Sequence, residues 1–441
     1  MQTVKYQFSG EIPLTIEADV IVVGGGPGGI GAAVMSARQG AKTVLIERYG
    51  VLGGMASVGE VQPFMPNHYG SFTKGGQSMD RPVYLDWVKK MKDYYPDSYE
   101  FKKMKNEFAD WDDLRIHKDV AALAAEDLCL NAGVKIIYHH FLADVIKKDR
   151  NIDFIVLLSK SGFTAAKAKN YIDCTGDADL AAKAGCEFEL GGPSGYCQPM
   201  TTCFKLSNVD GKRIPPGKEI TKLYNEARAA GEINCPREDV LYFACVGNDI
   251  VHFNSTRILK KSGINGLELS EAEIEGHRQV RELINFLRKR VAGFENAYLY
   301  SMASHIGVRE TRRIKGIKYL TVEAFEKRQK FPDAIARVNY PIDIHNPNGT
   351  GTKMEHIPNT DWYEIPYGCI VPKDADNLLV GGRPISVDHA IHSSMRVMPP
   401  ACSVGQAAGM AAALSSKTGK KVCDLDGCEI RKHLVEAGAF L

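Results

Sequence analysis

The hydrophobic pattern of the chain is clearest near its start. Val20-Ile21-Val22-Val23 closes a short apolar run with no polar alternation, which predicts a strand buried on both faces of a parallel sheet. The run enters Gly24-Gly25-Gly26-Pro27-Gly28-Gly29 and then IGAAVMSARQGA, a helix of small residues. Lys42-Thr43-Val44-Leu45-Ile46-Glu47 repeats the strand pattern and ends in an acid. Strand, glycine turn, helix and strand in that order predict a βαβ unit. Further on, a helix from about His117 to Asn131 stops at Ala132-Gly133, where glycine can take the left-handed cap conformation. Strand-like segments VKIIYHH, FLADVIKK and DFIVLLS follow with short turns, and Ala165 to Tyr171 lead into Ile172-Asp173-Cys174-Thr175-Gly176-Asp177-Ala178-Asp179.

From about Cys186 to Pro366 this rhythm is lost, and turns, short strands and a few helices alternate without βαβ order. One helix is signalled by Ser270-x-x-Glu273, a capping box, with apolar positions at Ile274, Val280, Ile284 and Leu287. In VHFNSTR, His252, Asn254 and Thr256 would share one strand face, for which a solvated face is the favoured expectation. In HIGVRETRR, His305, Arg309, Arg312 and Arg313 lie close together. Such arginines meet carboxylates or phosphates, so an anion site and an internal network with Glu310 both stay open.

The glycines carry the first chemistry. Gly24, Gly26 and Gly29 make the G-x-G-x-x-G spacing, directly after a strand and at the opening of a helix. The first permits the tight turn, the second lets a diphosphate approach the backbone, and the third lets helix and strand pack closely. The helix N-terminus then faces the diphosphate with its free N–H groups and positive end. Glu47 stands where a ribose-binding acid is expected and would repel a 2′-phosphate.

Bulk properties narrow the reading. The 441 residues carry 55 Lys+Arg against 53 Asp+Glu, a net charge of +2, which gives no general attraction for nucleic acid or an anionic membrane. No apolar run reaches the ~20 residues of a membrane span, and the first residues show no apolar signal core. The 11 cysteines are scattered without C-x-x-C, which fits reduced thiols in a cytoplasmic protein and supplies no metal or iron–sulfur spacing. Cys174 reads as a small buried hydrophobe.

After Glu47, Arg48-Tyr49-Gly50-Val51-Leu52-Gly53-Gly54-Met55 resembles the loop that wraps the FAD diphosphate in flavoproteins with two dinucleotide-binding motifs. No second G-x-G-x-x-G follows a strand, so FAD rather than a nicotinamide is the expected cofactor. Together with DCTGDADL, GVRETRR and NLLVGGRPIS…SSMRVMPPACSVGQAAGMAAA, these motifs resemble the FAD-dependent oxidoreductases related to the flavoprotein component of heterodisulfide reductase. More distantly they resemble fumarate reductase and succinate dehydrogenase flavoproteins. The resemblance implies an α/β fold: a Rossmann-like FAD-binding domain, a parallel sheet with an antiparallel crossover formed by the three strand-like segments, plus an inserted α+β substrate domain. The expected divisions are 1–185 and 367–441 for FAD and 186–366 for substrate.

It also implies that Asp173 to Asp177 return beside the first glycine turn, placing Thr175, Gly176 and Asp177 on FAD. Asn377 to Gly382 would be the last strand, bringing Gly381 and Gly382 to the cofactor, and the helix from near Pro399 would point its N-terminus at the flavin. With Gly28, Arg48, Gly53, Gly54 and Met55 these complete the expected FAD site. Arg383 stands where many flavoproteins have an acid, and contact with the diphosphate is one role for it. No histidine adjoins Gly53-Gly54, so dissociable FAD is expected.

The function expected is hydride transfer between FAD and a small polar, anionic or sugar-like substrate, with an unidentified electron acceptor. His389 and His392 are the candidate bases, and Arg309 and Arg396 the candidate anion holders. The alternative is a flavin protein that passes electrons within a redox complex, against which the missing iron–sulfur cysteines weigh. An aromatic hydroxylase reduced by NAD(P)H is a third reading, and a scaffold merely stabilised by FAD a fourth. No nucleic-acid or membrane partner is expected, and self-association is left open.

Overall fold

The computed structural model describes residues 10–70, 77–96, 103–108, 111–112, 117–244 and 249–441. The opening segment read for a signal core therefore lies in part, at residues 1–9, outside the described residues. Strand β1 (Leu14–Val23) is followed by helix α1 (Pro27–Arg38) and strand β2 (Thr43–Ile46). Helix α2 (Lys118–Asn131) leads to β3 (Lys135–Ile137), β4 (Phe141–Lys148), β5 (Asn151–Ser159) and β6 (Gly162–Asp173). A second sheet comes from β7 (Phe204–Ser207), β8 (Tyr242–Ala244), β9 (Val251–Phe253) and β10 (Tyr298–Met302), with α3 (Gly217–Ala229) and α4 (Gly266–Arg290) between its strands. The chain returns as β11 (Leu378–Val380), α5 (His389–Met395) and α6 (Met398–Thr418).

The main sheet has the order β3-β2-β1-β6-β5-β4, and β11 pairs with the far end of β6. β1, β2, β3, β6 and β11 run parallel, whereas β4, β5 and the near half of β6 pair antiparallel. The fold is thus the expected α/β type with a parallel core and an antiparallel excursion. One detail differs: VKIIYHH does not begin the excursion, because Lys135–Ile137 pairs parallel with Val44–Ile46. A short strand with two isoleucines suits a parallel edge as well as a hairpin, and only the pairing tells them apart.

α1 and α6 cross at their glycines and alanines, covering one face of the parallel strands. The second sheet packs Phe204, Leu206, Val251 and Phe253 against α3 and α4 in its own apolar cluster. Ile314, Val338, Tyr363 and Ile365 belong instead to the core of the main sheet.

Two sequence expectations are corrected here. α4 begins at Gly266, with Asn265 Oδ1 accepting from the N–H groups of Leu267 (3.0 Å) and Glu268 (3.2 Å), so Ser270 is not its cap. Asn with an extended backbone is as good a cap as Ser and comes first. Glu273 accepts from Ile306 N at 2.7 Å instead, and Ile274 is exposed. The face read as solvated in VHFNSTR is buried: His252 lies opposite Lys205 in the second sheet, and Asn254 and Thr256 are covered.

Candidate active site

Three chain segments meet at the carboxyl ends of β1, β6 and β11. Gly24 N donates to Ile46 O, Cys174 N to Val23 O and Gly381 N to Asp173 O, all at 2.8–2.9 Å. Gly24 has φ +101°, and a Cβ on it would lie 2.3 Å from Cys174 O, so both conformation and space require glycine. Around this junction lies a cavity of about 320 Å³. Its lining includes Gly24, Gly26, Gly28, Glu47, Arg48, Gly54, Met55, Thr175, Gly176, Asp177, Gly381, Gly382, Arg383 and Arg396. Gly29 and Gly53 do not line it. Gly29 packs on Gly24 O, and Gly53 takes φ +103° in the turn that ties to Gly25 O at 2.8 Å.

The cavity fits an elongated dinucleotide. A Cβ on Gly26 would meet protein only at Gly54 Cα, 3.8 Å away, so the added atom would stand in the cavity itself. Gly26 is the N-cap of α1, and no side chain caps that helix, which leaves its positive end for an anion. Glu47 is buried, and its two carboxylate oxygens accept from Gly25 N (2.6 Å) and Tyr49 N (2.8 Å). Burial raises its pKa, against the opposing pull of these N–H groups, and each oxygen keeps a lone pair for a ribose hydroxyl.

The cavity is lined further by Met55, Val58, His305, Val308, Met398 and Ala401. His305 Nδ1 donates to Ile306 O at 2.7 Å, so Nε2 accepts from Arg48 at 3.3 Å. Burial and the Arg48 charge lower its pKa, keeping the ring neutral. α6 presents its N-terminus here, but Pro399 and Pro400 remove two of its first-turn donors. Its influence on a bound group is therefore that of a dipole more than of N–H bonds.

The family model for FAD dependent oxidoreductases matches residues 19–434. The chain belongs to this FAD-dependent oxidoreductase family. FAD is accordingly its cofactor, and Gly24, Gly26 and Glu47 are the residues that would hold it. Curated relatives match only a short piece. Leghemoglobin reductase of Glycine max is 58% identical over 38 residues, 9% of this chain and 7% of that protein. The mitochondrial dihydrolipoyl dehydrogenase of Caenorhabditis elegans is 52% identical over 40 residues, 9% of this chain and 8% of that protein. The match thus spans less than a tenth of either relative's length. Among solved structures, a geranylgeranyl bacteriochlorophyll reductase-like protein from Thermoplasma acidophilum has TM-score 0.45 at 14% identity, over 96% of this chain and 84% of that one. The p-nitrophenol 4-monooxygenase of Pseudomonas putida DLL-E4 has TM-score 0.47 at 11% identity, over 97% and 87%.

Beside the first cavity of this family member lies a second one of about 340 Å³. Met55, Val308, Arg383, Arg396 and Met398 line both. Arg309 reaches into the second cavity, with Nη1 held by Pro199 O (2.7 Å) and Thr201 Oγ1 (2.5 Å). Burial and the neighbouring Arg396 lower its pKa. Arg396 pairs with Asp343 at 3.2 Å. Arg312 and Arg313 do not face this space: the first pairs with Asp179 at 2.9 Å, the second with Glu310 and Gly191 O. Of the two readings of HIGVRETRR, an internal network holds for these two and not for Arg309.

Arg383 donates to Asp177 Oδ1 at 2.5 Å and to Val308 O at 2.7 Å, so its charge is already matched within the protein. The candidate bases stand elsewhere. His389 Nδ1 donates to Glu310 Oε1 at 2.8 Å and lines neither cavity. His392 is fully buried on α5 with no partner at either ring nitrogen, and it too lines neither.

Sequence reasoning missed Tyr340, Asp343 and His345, which line the second cavity. Asp343 and His345 sit two apart on the short strand Ile342–His345, and that D-x-H alternation was the available signal. His345 Nδ1 accepts from Arg257 at 3.1 Å, and Nε2 lies 3.4 Å from Asp343 Oδ1. Burial, then the Arg309 charge, pushes its pKa down to about 3. Burial works against ionised Asp343, but the hydrogen bond from His345 and the Arg396 charge hold its pKa well below the usual range.

Proposed function

We propose that the protein moves a hydride between non-covalently bound FAD and a small anionic substrate held in the second cavity. The observation that carries this reading is the shared wall: Met55, Val308, Arg383, Arg396 and Met398 face the FAD cavity on one side and the Arg309 cavity on the other. A molecule anchored at Arg309 would then lie against the cofactor site. When bound, FAD supplies the acceptor or donor of the hydride.

The residues of the chain would orient and exclude water. Arg309 binds the anionic group and Arg396, fixed by Asp343, shapes the junction. Tyr340, Asp343 and His345 are the groups facing the cavity that can hold or relay the accompanying proton. Burial pushes the Tyr340 phenol well up, so it stays protonated at neutral pH. The electrons then pass to an acceptor outside the chain.

Anaerobic mixing of the FAD-loaded protein with a panel of organic acids and sugars tests this directly. An acid that bleaches the flavin absorbance of wild type, with the rate lowered in Arg309→Met, is the result expected. A flavin that every compound in the panel leaves oxidised, yet that a ferredoxin-like protein reduces, would favour electron transfer between proteins instead.

A further inference from the structure

The arginines around the second cavity differ in one respect. Arg237 pairs with Asp239 at 2.9 Å, Arg383 with Asp177 at 2.5 Å and Arg396 with Asp343 at 3.2 Å. Arg257, just behind the wall, pairs with Glu238 at 3.0 Å. Every carboxylate lining the cavity is thereby matched to a guanidinium. Arg309 has no carboxylate within 4.0 Å among the described residues, and its protein hydrogen bonds go only to the neutral oxygens of Pro199 and Thr201 through Nη1. Its Nε and Nη2 donors are left for an occupant. The cavity thus carries one uncompensated positive charge.

Much of the remaining wall is apolar, with Met55, Val61, Met65, Leu241, Met354 and Met398, and Asn254, Tyr340, His345 and Thr352 are polar groups among them. Thioether chains are unbranched and polarizable, so they fit flat or bent hydrocarbon bodies. A second carboxylate would meet either this wall or the acids Glu238 and Asp343, whose own counter-charges are already engaged.

We propose that this cavity selects a monocarboxylate with an apolar body, its one negative charge paired in a forked bond with Arg309. The inference rests on the reading of this cavity as the substrate site, and it narrows the substrate from anions in general to this class. Dicarboxylates are excluded by the charge balance.

The test measures binding rather than turnover. The FAD-loaded protein is titrated with hexanoate, benzoate, hexanamide and glutarate, followed by calorimetry and by the shift in flavin absorbance. Hexanoate and benzoate should bind, and hexanamide and glutarate should bind at least roughly 10-fold more weakly, the scale of one charge-assisted pair. Arg309→Met should weaken hexanoate roughly 10- to 100-fold and leave hexanamide unchanged, with Arg309→Lys between. Hexanamide or glutarate equalling hexanoate, an Arg309→Met variant that binds hexanoate normally, or absence of binding by both monocarboxylates would each overturn the proposal. Should Arg309→Met lose its FAD, the acid-against-amide comparison on wild type decides alone. Hexanoate that binds without bleaching the flavin leaves this inference standing and counts only against hexanoate as the reductant, so the two readings fail separately.

Discussion

Arg383 and Asp177 meet at 2.5 Å across 206 residues of chain, at the wall between the two cavities. The pair fastens the loop after β11 to the loop after β6, and Thr311 adds a second donor to the same carboxylate oxygen at 2.8 Å. In a site that must receive the cofactor's own negative charges, an arginine already neutralised is a brace.

Breaking that brace should cost more than removing it. Asp177→Ala leaves Arg383 unpaired and mostly buried, and a loss of about 2–4 kcal/mol is expected in urea unfolding of the FAD-loaded protein. The double variant Asp177→Ala/Arg383→Met should recover part of it. A double variant no more stable than the single one would show that the ion pair is not the source.

Gly405 on α6 faces Gly28 on α1, and a Cβ there would lie 1.9 Å from Gly28 O. Gly405→Ala must push the helices apart and shift the diphosphate cradle. Loss of FAD on gel filtration and a destabilisation of about 2 kcal/mol or more are expected. Gly419→Ala, where φ is +73° and the surroundings are open, is the control, costing about 1–2 kcal/mol of backbone strain with FAD retained.

His392 should be dispensable. Its ring is buried without a hydrogen-bond partner, and burial lowers its pKa well below the usual value, so it stays neutral. His392→Leu removes two unsatisfied polar atoms at similar volume, so thermal stability should hold or rise and flavin content stay at one per chain. A variant that keeps FAD but loses reduction by a substrate would restore His392 as a base.

Asp80 gives a pH dependence. Its carboxylate accepts from Ser403 Oγ at 2.7 Å and Asn67 Nδ2 at 2.8 Å, and burial pushes its pKa up to about 7 from 3.8. The folded state therefore holds this proton more tightly than the unfolded chain. Its contribution is greatest below pH 3.8, declines as pH rises to about 7, and is flat above. Asp80→Asn cannot titrate, so the stability of wild type relative to the variant should fall across that window. A difference constant with pH would mean that folding leaves this carboxyl unshifted, and one that rises with pH that the carboxylate is stabilised as an anion.

The strand, glycine turn and acid of the first cavity were legible because their rules are local. The run Val20 to Val23 states a buried strand, Gly24 states a positive φ, and Glu47 follows at the distance set by one βαβ unit. The helix cap at Asn265 was misplaced for a local reason too, since two good capping residues compete within five positions.

The Arg309 cavity was not legible, because charge pairing is decided by partners far apart in sequence. Arg309, Arg312, Arg313 and Arg383 look alike along the chain, and only folding gives three of them carboxylates and leaves Arg309 with none within reach. His389 and His392 precede α6 in sequence, yet they line neither cavity, while Asp343 and His345 arrive at the second on a strand of the turn-rich region. The sequence by itself determined the cofactor and the sheet that cradles it, through backbone conformation and short-range hydrophobic pattern. The tertiary structure alone decided which charge stays uncompensated, because burial and ion pairing are properties of neighbours in space.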